Sequence, residues 1–381
     1  MQIAFTSISE QNPLGGAEIS TKLLQEELGK KRLKVIMISI ARKNKSHSNK
    51  SMTLPLRWIP TKVLYMGTTF SDLLISYYFK KFLQKNKVNL VHIHDIYILP
   101  GIINALKNTN IPCVATVRDN VPRIPVFSDN LVYKAIATLI YVYRAGIIKK
   151  ALLKTDKIIA ISNHIKSNLV NLGIPQDKIE VIYNIAPDWK CIKKRESIIF
   201  SAGRLKEEKG FDILIRAFNE IKDVYPNTNL IIAGDGPYYE KLRRLIINLN
   251  LKDRVYLVGK KNYNEMQKLY CKSIVVVMPS LYPEPLGRIL VEAISVGKPT
   301  IASQMGGMTE LVKSGFNGLT YTPIDYKALA KCLKRILDDL KIRKSFSQNA
   351  QKIMKKILCK EKIVSQTLLI YSNLLKGELT D

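Results

Sequence analysis

A strand, a loop and a helix follow one another between residues 274 and 299, and no other stretch constrains the fold as strongly. Residues 274–278 are an apolar run in which four of five side chains are branched aliphatics, which predicts a buried strand. A loop containing Pro283 and Pro285 follows. Apolar residues then recur at helical spacing, at Leu286, Ile289, Leu290, Ala293 and Ile294. Gly297 and Pro299 end the predicted helix, so the unit is strand, loop, helix.

Two carboxylates lie on this unit, eight positions apart. Glu284 is in the loop just ahead of the helix, and Glu292 is inside the helix. The positive N-terminus of a helix carries N–H groups without intrahelical partners, and it suits an anion such as a phosphate. Glu284 could then bind sugar hydroxyls beside that phosphate, and Glu292 could hold a ribose. At this spacing alone, two solvated glutamates flanking a helix remain the alternative.

The same alternation of strands and helices fills the chain, which predicts the α/β class. Strands are predicted at 2–8, 35–40, 90–95, 113–119, 157–161, 181–184, 198–201, 230–233 and 255–258. The length of 381 residues suggests two domains, and the alternation restarts after a boundary at about residue 187. The basic and polar residues 42–51 are predicted to form a mobile loop.

Glycines and polar side chains follow several of these strands. Gly15 and Gly16 lie between the first strand and the first helix, and Gly203 and Gly234 follow strands of the second half. Glycine lets the backbone approach a ligand closely, although a tight turn explains such glycines equally well.

Two strands of the first half end in charged or titratable pairs. His94 and Asp95 end the strand predicted at 90–95, and Arg118 and Asp119 end the strand predicted at 113–119. Open α/β sheets bind ligands at the carboxyl ends of their strands, so both pairs are candidate site residues. Arg118 cannot act as a base near neutral pH, but it can clamp a phosphate or a carboxylate. The alternatives are a structural histidine and a salt bridge between neighbours; His92 is assigned no role.

Three motifs together resemble the retaining glycosyltransferases of family 4, which have the GT-B fold. They are E-x7-E at 284–292, G-G-A-E at 15–18 and G-R-L-x-x-x-K-G at 203–210. The resemblance covers nearly the full length. It implies two Rossmann-like domains facing each other across a cleft: an acceptor-binding domain at 1–186 and a nucleotide-sugar-binding domain at 187–360. It also implies that a helix at 361–381 packs back on the first domain. Arg118 stands where many relatives have histidine, and Ile185 replaces the glycine of their I-Y-N-G segment.

The resemblance also implies roles for individual residues. Fixed cations would stabilise the negative charge that develops on a leaving diphosphate. Catalytic roles fall to Arg204, Lys209 and Glu284. Donor-binding roles fall to Gly15, Gly16, Gly203, Gly234, Pro285, Leu286, Gly287 and Glu292. Acceptor-side roles fall to His94, Asp95, Arg118 and Asp119. The glycine turn at 306–307 would border the sugar. The chain has no D-x-D motif, so no metal or other cofactor is expected.

The function implied is retaining transfer of a hexose-type sugar from a UDP-, GDP- or ADP-type donor. The acceptor would be a glycan or a lipid-linked molecule of polysaccharide or glycolipid biosynthesis. One rival is a nucleotide-sugar epimerase or hydrolase on the same fold, which would yield an altered or hydrolysed sugar. Another is a noncatalytic glycan- or membrane-binding relative, which would show no turnover.

The net charge of +29 bears on partners. Residues 1–186 hold 26 basic and 11 acidic residues and the remainder holds 34 and 20, so the charge is not a basic tail. Such a field attracts anionic membranes, acidic glycans or nucleic acid, but no nucleic-acid module is recognisable and none is expected as a partner. Residues 131–154, with five basic residues, no acid and three tyrosines, are typical either of a helix lying on an anionic membrane or of a core helix with a basic edge.

The cysteines and hydropathy bear on location. Five scattered cysteines without a C-x-x-C pair predict reduced thiols. No signal peptide and no spanning helix are recognisable. The expected location is cytoplasmic, with peripheral attachment to the inner face of the membrane as one option.

Overall fold

The computed structural model describes residues 1–9, 15–41, 51–53, 69–121, 131–191 and 196–375, with side chains for 1–6, 15–38, 70–121, 138–191 and 196–375. The loop predicted at 42–51 falls outside these ranges except for Ser51, as do residues 12–14 ahead of the first glycine pair.

The chain divides into two compact units. Unit 1 comprises Met1–Ile185 together with Lys360–Asp381, and unit 2 comprises Ala186–Cys359. The chain thus leaves unit 1 once and returns to it for its last helix. Each unit has a parallel sheet and a hydrophobic core of its own.

Unit 1 is built on a parallel sheet with the order β3-β2-β1-β4-β5-β6-β7. The strands are β1 (Gln2–Ser9), β2 (Lys34–Ala41), β3 (Ser51–Thr53), β4 (Leu90–Ile93), β5 (Cys113–Val117), β6 (Lys157–Ala160) and β7 (Ile179–Val181). β4 and β5 are buried along their whole length, as expected for parallel strands covered on both faces. The strand predicted at 181–184 is wrong in position, because the pairing of β7 with β6 ends at Val181.

The described helices of unit 1 surround this sheet. They are α1 (Gly16–Lys30), α2 (Thr69–Lys85), α3 (Leu99–Leu106), α4 (Leu131–Leu153), α5 (Asn163–Asn171) and, after the whole of unit 2, α13 (Lys360–Leu374). Ile363, Val364, Ile370 and Tyr371 of α13 belong to the same buried cluster as Ile3 and Phe5 of β1. The last helix therefore contributes to the core of unit 1.

Unit 2 repeats the plan with the order β10-β9-β8-β11-β12-β13, again parallel. Its strands are β8 (Ile198–Ala202), β9 (Asn229–Ala233), β10 (Val255–Leu257), β11 (Val275–Met278), β12 (Thr300–Ser303) and β13 (Gly318–Tyr321). Its helices are α6 (Phe211–Asn219), α7 (Tyr239–Asn248), α8 (Tyr263–Lys272), α9 (Arg288–Ser295), α10 (Met308–Leu311), α11 (Tyr326–Asp338) and α12 (Leu340–Ile353). Phe211, Leu214 and Phe218 of α6 pack with the apolar side chains of the strands.

The cysteine prediction is wrong for one pair. Cys191 and Cys271 form a disulfide across 80 residues and tie the start of unit 2 to the end of α8. The remaining three cysteines are free thiols. The sequence does not reveal the pair because nothing in the spacing shows that residue 191 lies beside α8. The cysteines therefore give no support to the expected cytoplasmic location.

The fold prediction is confirmed: the chain consists of two Rossmann-like units, each with a parallel sheet and flanking helices, as in the GT-B class. None of the described helices combines the length with the apolar character that crossing a bilayer requires.

Candidate active site

The loops that follow four neighbouring strands of unit 2 meet at one edge of its sheet. β8 lies between β9 and β11, so the chain winds outward from β8 in one direction and then in the other. Ligands of open parallel sheets bind at such a switch point, outside the carboxyl ends of the strands. The 203–210 loop follows β8, and the loop with Glu284 follows β11.

Glu284 is buried and is held by two side chains. Its Oε1 atom accepts a hydrogen bond from Lys209 Nζ at 2.5 Å and another from Ser280 Oγ at 2.7 Å. Its second carboxylate oxygen, Oε2, accepts no hydrogen bond from a described residue. Lys209 is about one-fifth exposed, so the pair presents a cation and an acceptor atom at the surface of the site.

The backbone holds the loops around Glu284 together. Leu281 N donates to Glu208 O at 2.8 Å, which joins the β11 loop to the β8 loop. Gly307 N donates to Glu284 O at 2.8 Å, which joins the β12 loop to the same place. A Cβ on Gly306 would lie 2.5 Å from Glu284 O, so this close approach requires glycine. The geometry of Glu284 therefore depends on three loops.

Glu292 is the second carboxylate, and it lies on α9 with only 5% of its surface exposed. Its Oε2 atom accepts a hydrogen bond from Tyr270 Oη at 2.8 Å, and its Oε1 atom accepts one from Arg288 Nε at 2.8 Å. Burial, with the charge and hydrogen bond of Glu292, raises the pKa of Tyr270 well above its usual value. The phenol therefore stays protonated and acts as the hydrogen-bond donor. Both oxygens of Glu292 are thus oriented by the protein.

The helix that carries Glu292 begins two residues later than the sequence predicts. α9 starts at Arg288, and Gly287 is its N-cap with φ 92°, a left-handed conformation that favours glycine. Pro285 and Leu286 are buried in the approach to the helix. Leu286 is only 1% exposed, so its side chain belongs to the core and does not contact a ligand. Leu290 N and Val291 N already donate to Gly287 O, so only the N–H groups ahead of Leu290 could serve the predicted anion site.

Arg204 and two glycines lie at the adjoining loops of β8 and β9. Gly234 packs directly on Gly203, where a Cβ at 234 would lie 1.8 Å from Gly203 O. Leu205 N donates to Asp235 O at 3.0 Å, which holds the two loops side by side. Arg204 is exposed and makes no side-chain hydrogen bond or ion pair with a described residue. Its guanidinium is therefore available to an anionic ligand.

In unit 1 the first glycine pair begins α1. Gly15 is the N-cap of α1 and Gly16 its first residue, and both are exposed. Arg118 donates from Nη1 to Ala17 O at 3.2 Å and to Thr21 Oγ1 at 2.5 Å, so it is anchored on the first turns of the same helix. Asp119 follows Arg118 just beyond β5.

His94 lies just beyond β4 with two unsatisfied ring nitrogens. It is 5% exposed, and neither nitrogen has a hydrogen-bond partner among the described residues; the same is true of the buried Thr6 Oγ1. Its ring packs on Phe5 and on His92, with centroids 4.4 Å and 4.0 Å away. Burial lowers the pKa of His94, and the His92 and Arg118 charges act in the same direction. The imidazole is therefore neutral, with one donor and one acceptor to offer.

Asp95 has an unusual protonation equilibrium. Burial raises its pKa to about 7, against the hydrogen bond of 2.9 Å that Tyr97 N donates to its Oδ1 atom. The neighbouring carboxylates of Asp119 and Glu18 contribute to this rise, and the charge of Arg118 opposes it. Near neutral pH the carboxyl is present in both protonation states.

Comparison with known proteins decides the family. Residues 14–186 match the model of Glycosyltransferase Family 4, and residues 188–353 match that of Glycosyl transferases group 1. The chain is 30% identical over 352 residues to an uncharacterised glycosyltransferase of Methanocaldococcus jannaschii, an alignment that covers 90% of this chain and 92% of that protein. The chain belongs to glycosyltransferase family 4.

Solved structures share the fold of this family 4 glycosyltransferase along its length. Sucrose-phosphate synthase from Thermosynechococcus elongatus has a TM-score of 0.82 at 22% identity, covering 99% of this chain and 100% of that one. Anabaena HepE, in a complex with UDP and glucose, has a TM-score of 0.78 at 22% identity, covering 98% and 99%. At this identity the likeness concerns the fold.

The structure brings some of the predicted site residues into contact and divides the full set between the two units. Lys209 and Glu284 form an ion pair, and Gly203 packs on Gly234. Lys209 and Ser280 hold Glu284, whereas Tyr270 and Arg288 hold Glu292. The acceptor-side residues, with Gly15 and Gly16, all belong to unit 1, whereas the other predicted donor residues belong to unit 2.

Several residues that hold the site are absent from the sequence prediction. Arg288 could have been found, because it stands four residues before Glu292 on one helix face. Tyr270 and Ser280 reach the carboxylates from other elements and carry no sequence signal. The sequence pattern assigns His92 no role, yet its ring nitrogens lie 2.6 Å from Tyr371 Oη and 2.7 Å from Thr116 Oγ1, and its ring packs on that of His94.

Proposed function

We propose that this chain is a retaining glycosyltransferase that moves a hexose-type sugar from a nucleotide-sugar donor to a glycan or lipid-linked acceptor. The products would belong to polysaccharide or glycolipid biosynthesis. The observation that carries the proposal is the Lys209–Glu284 pair at the carboxyl ends of β8 and β11. It combines a cation for a phosphate with an acceptor atom, Glu284 Oε2, for a sugar hydroxyl.

The donor is proposed to bind unit 2. Structures of Anabaena HepE contain UDP or UDP-glucose, which supports a nucleotide-sugar donor. We propose a donor of UDP, GDP or ADP type. Arg204 and Lys209 would bind the diphosphate, and the N–H groups at the start of α9 would bind a phosphate oxygen. Gly203 and Gly234 would let the backbone approach the donor, and Glu292 would accept hydrogen bonds from the ribose hydroxyls.

The proposed chemistry breaks the bond between the anomeric carbon and the diphosphate oxygen. The electron pair of this bond leaves with the nucleoside diphosphate, whose growing charge Arg204 and Lys209 stabilise. The acceptor hydroxyl attacks from the same face, and the leaving phosphate takes its proton. No protein nucleophile is required. Glu284 would hold the sugar through a hydroxyl and keep Lys209 in place. With these cations and no D-x-D motif, we propose a reaction without a metal.

The acceptor is proposed to meet groups of unit 1. His94 can donate one hydrogen bond and accept another, and Thr6 Oγ1 adds a third unsatisfied polar atom. Asp95, Arg118 and Asp119 follow β4 and β5 close by in the fold. Buried polar atoms without partners cost free energy, which a bound hydroxylated acceptor would recover. The enzyme is proposed to act in the cytoplasm, where nucleotide-sugar donors are available.

The test compares site variants with matched surface variants. Arg204→Ala and Glu284→Gln are each expected to lower turnover at least about a hundredfold, because each removes an interaction with the reacting groups. Turnover is measured as release of nucleoside diphosphate from UDP-, GDP- and ADP-sugars in the presence of glycan and lipid-linked acceptors. The anomeric configuration of the product tests retention.

The controls are Arg243→Ala and Glu240→Gln, which alter exposed residues on α7 of the same unit. They should leave turnover unchanged. Equal turnover in the site and control variants would refute the site. An altered or free sugar as the main product in the presence of acceptors would favour the epimerase or hydrolase.

A further inference from the structure

Exposed apolar side chains of the described residues are concentrated on two helices of unit 1. Ten large apolar side chains are at least half exposed, and six of them lie on α2 and α4. These six, the two-helix face, are Phe70, Leu73, Tyr77, Leu139, Val142 and Tyr143. Exposing large apolar groups together costs solvation free energy, so such a group marks a surface that binds something.

Helical periodicity places these residues in stripes. On α2, Phe70, Leu73 and Tyr77 are spaced by three and four residues and therefore share one side of the helix. On α4, Leu139 and Tyr143 are four residues apart, with Val142 beside them. The opposite sides are buried, for example at Ile75 and Phe79 of α2.

A buried ion pair fixes the two helices to each other. Arg144 of α4 donates to both carboxylate oxygens of Asp72 of α2, at 2.6 Å and 3.1 Å, and also to Tyr97 O at 2.5 Å. Leu73 follows Asp72 directly and Tyr143 precedes Arg144 directly. Each stripe therefore has one member next in sequence to a residue of this ion pair. A bidentate, buried arginine of this kind holds the stripes in one fixed arrangement.

Positive charge continues both stripes. On α2 the exposed Lys80 and Lys81 come one turn after Tyr77, and Lys81 Nζ lies 4.5 Å from the centre of the Tyr77 ring. On α4 the exposed Lys150 follows Tyr143 by seven residues, which is two turns. α4 contains no acid, and Asp72, the one acid of α2, is used by Arg144. The face therefore combines apolar groups with lysines to which neither helix offers a free carboxylate.

We propose that the two-helix face docks on an anionic lipid bilayer. Aliphatic side chains enter the boundary between headgroups and acyl chains, tyrosines lie at headgroup level, and the lysines bind lipid phosphates. A second copy of the chain fits this face less well, because it would bring lysines against lysines. The proposal extends the proposed function, since a lipid-linked acceptor lies in such a bilayer, but its test needs neither donor nor acceptor.

The first experiment measures co-sedimentation of the full chain with vesicles of phosphatidylglycerol and phosphatidylcholine, and with phosphatidylcholine alone. Leu73→Ser/Tyr77→Ser and Leu139→Ser/Tyr143→Ser should each weaken binding to anionic vesicles at least about tenfold. Lys80→Gln/Lys81→Gln should do the same, and binding of the wild type should fall with added salt. Because all these side chains are exposed, the melting temperatures should remain close to that of the wild type.

The matched controls are Val224→Ser/Ile324→Ser and Lys327→Gln/Lys331→Gln in unit 2. The first pair is as exposed as the face residues, and the second removes the same charge elsewhere. Both should bind vesicles as the wild type does. Equal losses in control and face variants would overturn the proposal, because they would show adsorption through the overall net charge.

A second measurement separates insertion from association of two copies. Tyr143→Trp should gain fluorescence quenching by brominated lipids relative to the wild-type chain, as a side chain within the bilayer does. No gain would contradict insertion at this face. A dimer in solution that Leu73→Ser/Tyr77→Ser dissociates, with no binding to vesicles, would assign the face to a second copy and overturn the proposal.

Discussion

At the scale of single residues, the two carboxylates of the site are held in different ways. Glu284 uses one oxygen for Lys209 and Ser280 and leaves the other open. Glu292 has each oxygen fixed by one donor, from Tyr270 and Arg288. This difference fits the proposed roles. Glu284, which is proposed to bind the reacting sugar, needs a free acceptor atom. Glu292, which is proposed to bind the ribose, needs a fixed orientation.

Tyr270→Phe tests the orientation of Glu292. The variant loses one hydrogen bond to a buried carboxylate, which is worth about 1.5–3 kcal/mol. We expect KM for the donor to rise about tenfold or more and kcat to change little, because Glu292 acts in binding. Tyr225→Phe is the control, since Tyr225 bonds Asp338 outside the site. A fall in kcat at constant KM would contradict the ribose role.

Asp95→Asn tests whether folding raises the pKa of Asp95. The folded pKa of about 7 exceeds the ordinary value of 3.8, so between these values the folded chain holds a proton that the unfolded chain has released. This contribution to stability is complete below pH 3.8 and is lost as pH rises towards 7, by about 1.4 kcal/mol for each pH unit.

The measurement is denaturant unfolding of both proteins from pH 5 to pH 8. The free energy of unfolding of the wild type relative to Asp95→Asn should fall as pH rises to 7 and level off above it. Burial lowers the pKa of His92 and His94, whose contribution is instead lost as pH falls below about 6.5, but both proteins contain these residues. Asp177→Asn, an exposed change in unit 1, should run parallel to the wild type. A pH-independent difference between the wild type and Asp95→Asn would show that folding does not raise the pKa of the Asp95 carboxyl.

At the scale of elements, the strand–loop–helix units could be predicted because the pattern of each lies within one short stretch of the sequence. The branched aliphatic run gives β11, and the spacing of Ile289, Leu290 and Ala293 gives α9. The contacts that complete the site could not be predicted, since Tyr270 is 22 residues from Glu292 and Lys209 is 75 residues from Glu284. Only the resemblance to family 4 predicts that the loop with Lys209 and the loop with Glu284 serve one site.

The Cys191–Cys271 disulfide joins two elements of unit 2 and is contrary to the reduced thiols predicted from the sequence. Closing a loop of 80 residues restricts the unfolded chain, which typically stabilises the fold by about 2–4 kcal/mol. Cys191→Ser should therefore lower the free energy of unfolding of unit 2 by about this amount. A reductant should lower the melting temperature of the wild type and not that of the variant. A wild type insensitive to reductant would contradict the bond.

At the scale of the whole molecule, charge and composition indicate less about the function than the fold does. The net charge of +29 is compatible with phosphates, membranes and glycans alike, and it is spread over both halves. The two parallel sheets with their switch-point loops narrow the choice of function, because the loop after β8 places Lys209 beside Glu284 in the loop after β11. The nucleotide base, the sugar and the acceptor are set by side chains for which the sequence carries no recognisable motif.

The central claim is that Arg204 and Lys209 of unit 2 bind the diphosphate of a nucleotide-sugar, and calorimetric titration with UDP, GDP and ADP tests it most directly. We predict that at least one of them binds the wild type and, at a hundred times its Kd, adds about 2.7 kcal/mol of stability. Arg204→Ala and Lys209→Ala should weaken that binding at least about tenfold, and Arg243→Ala should not. Failure of all three nucleotides to bind the wild type, or binding to all three variants as tight as to the wild type, would contradict a diphosphate site at Arg204 and Lys209.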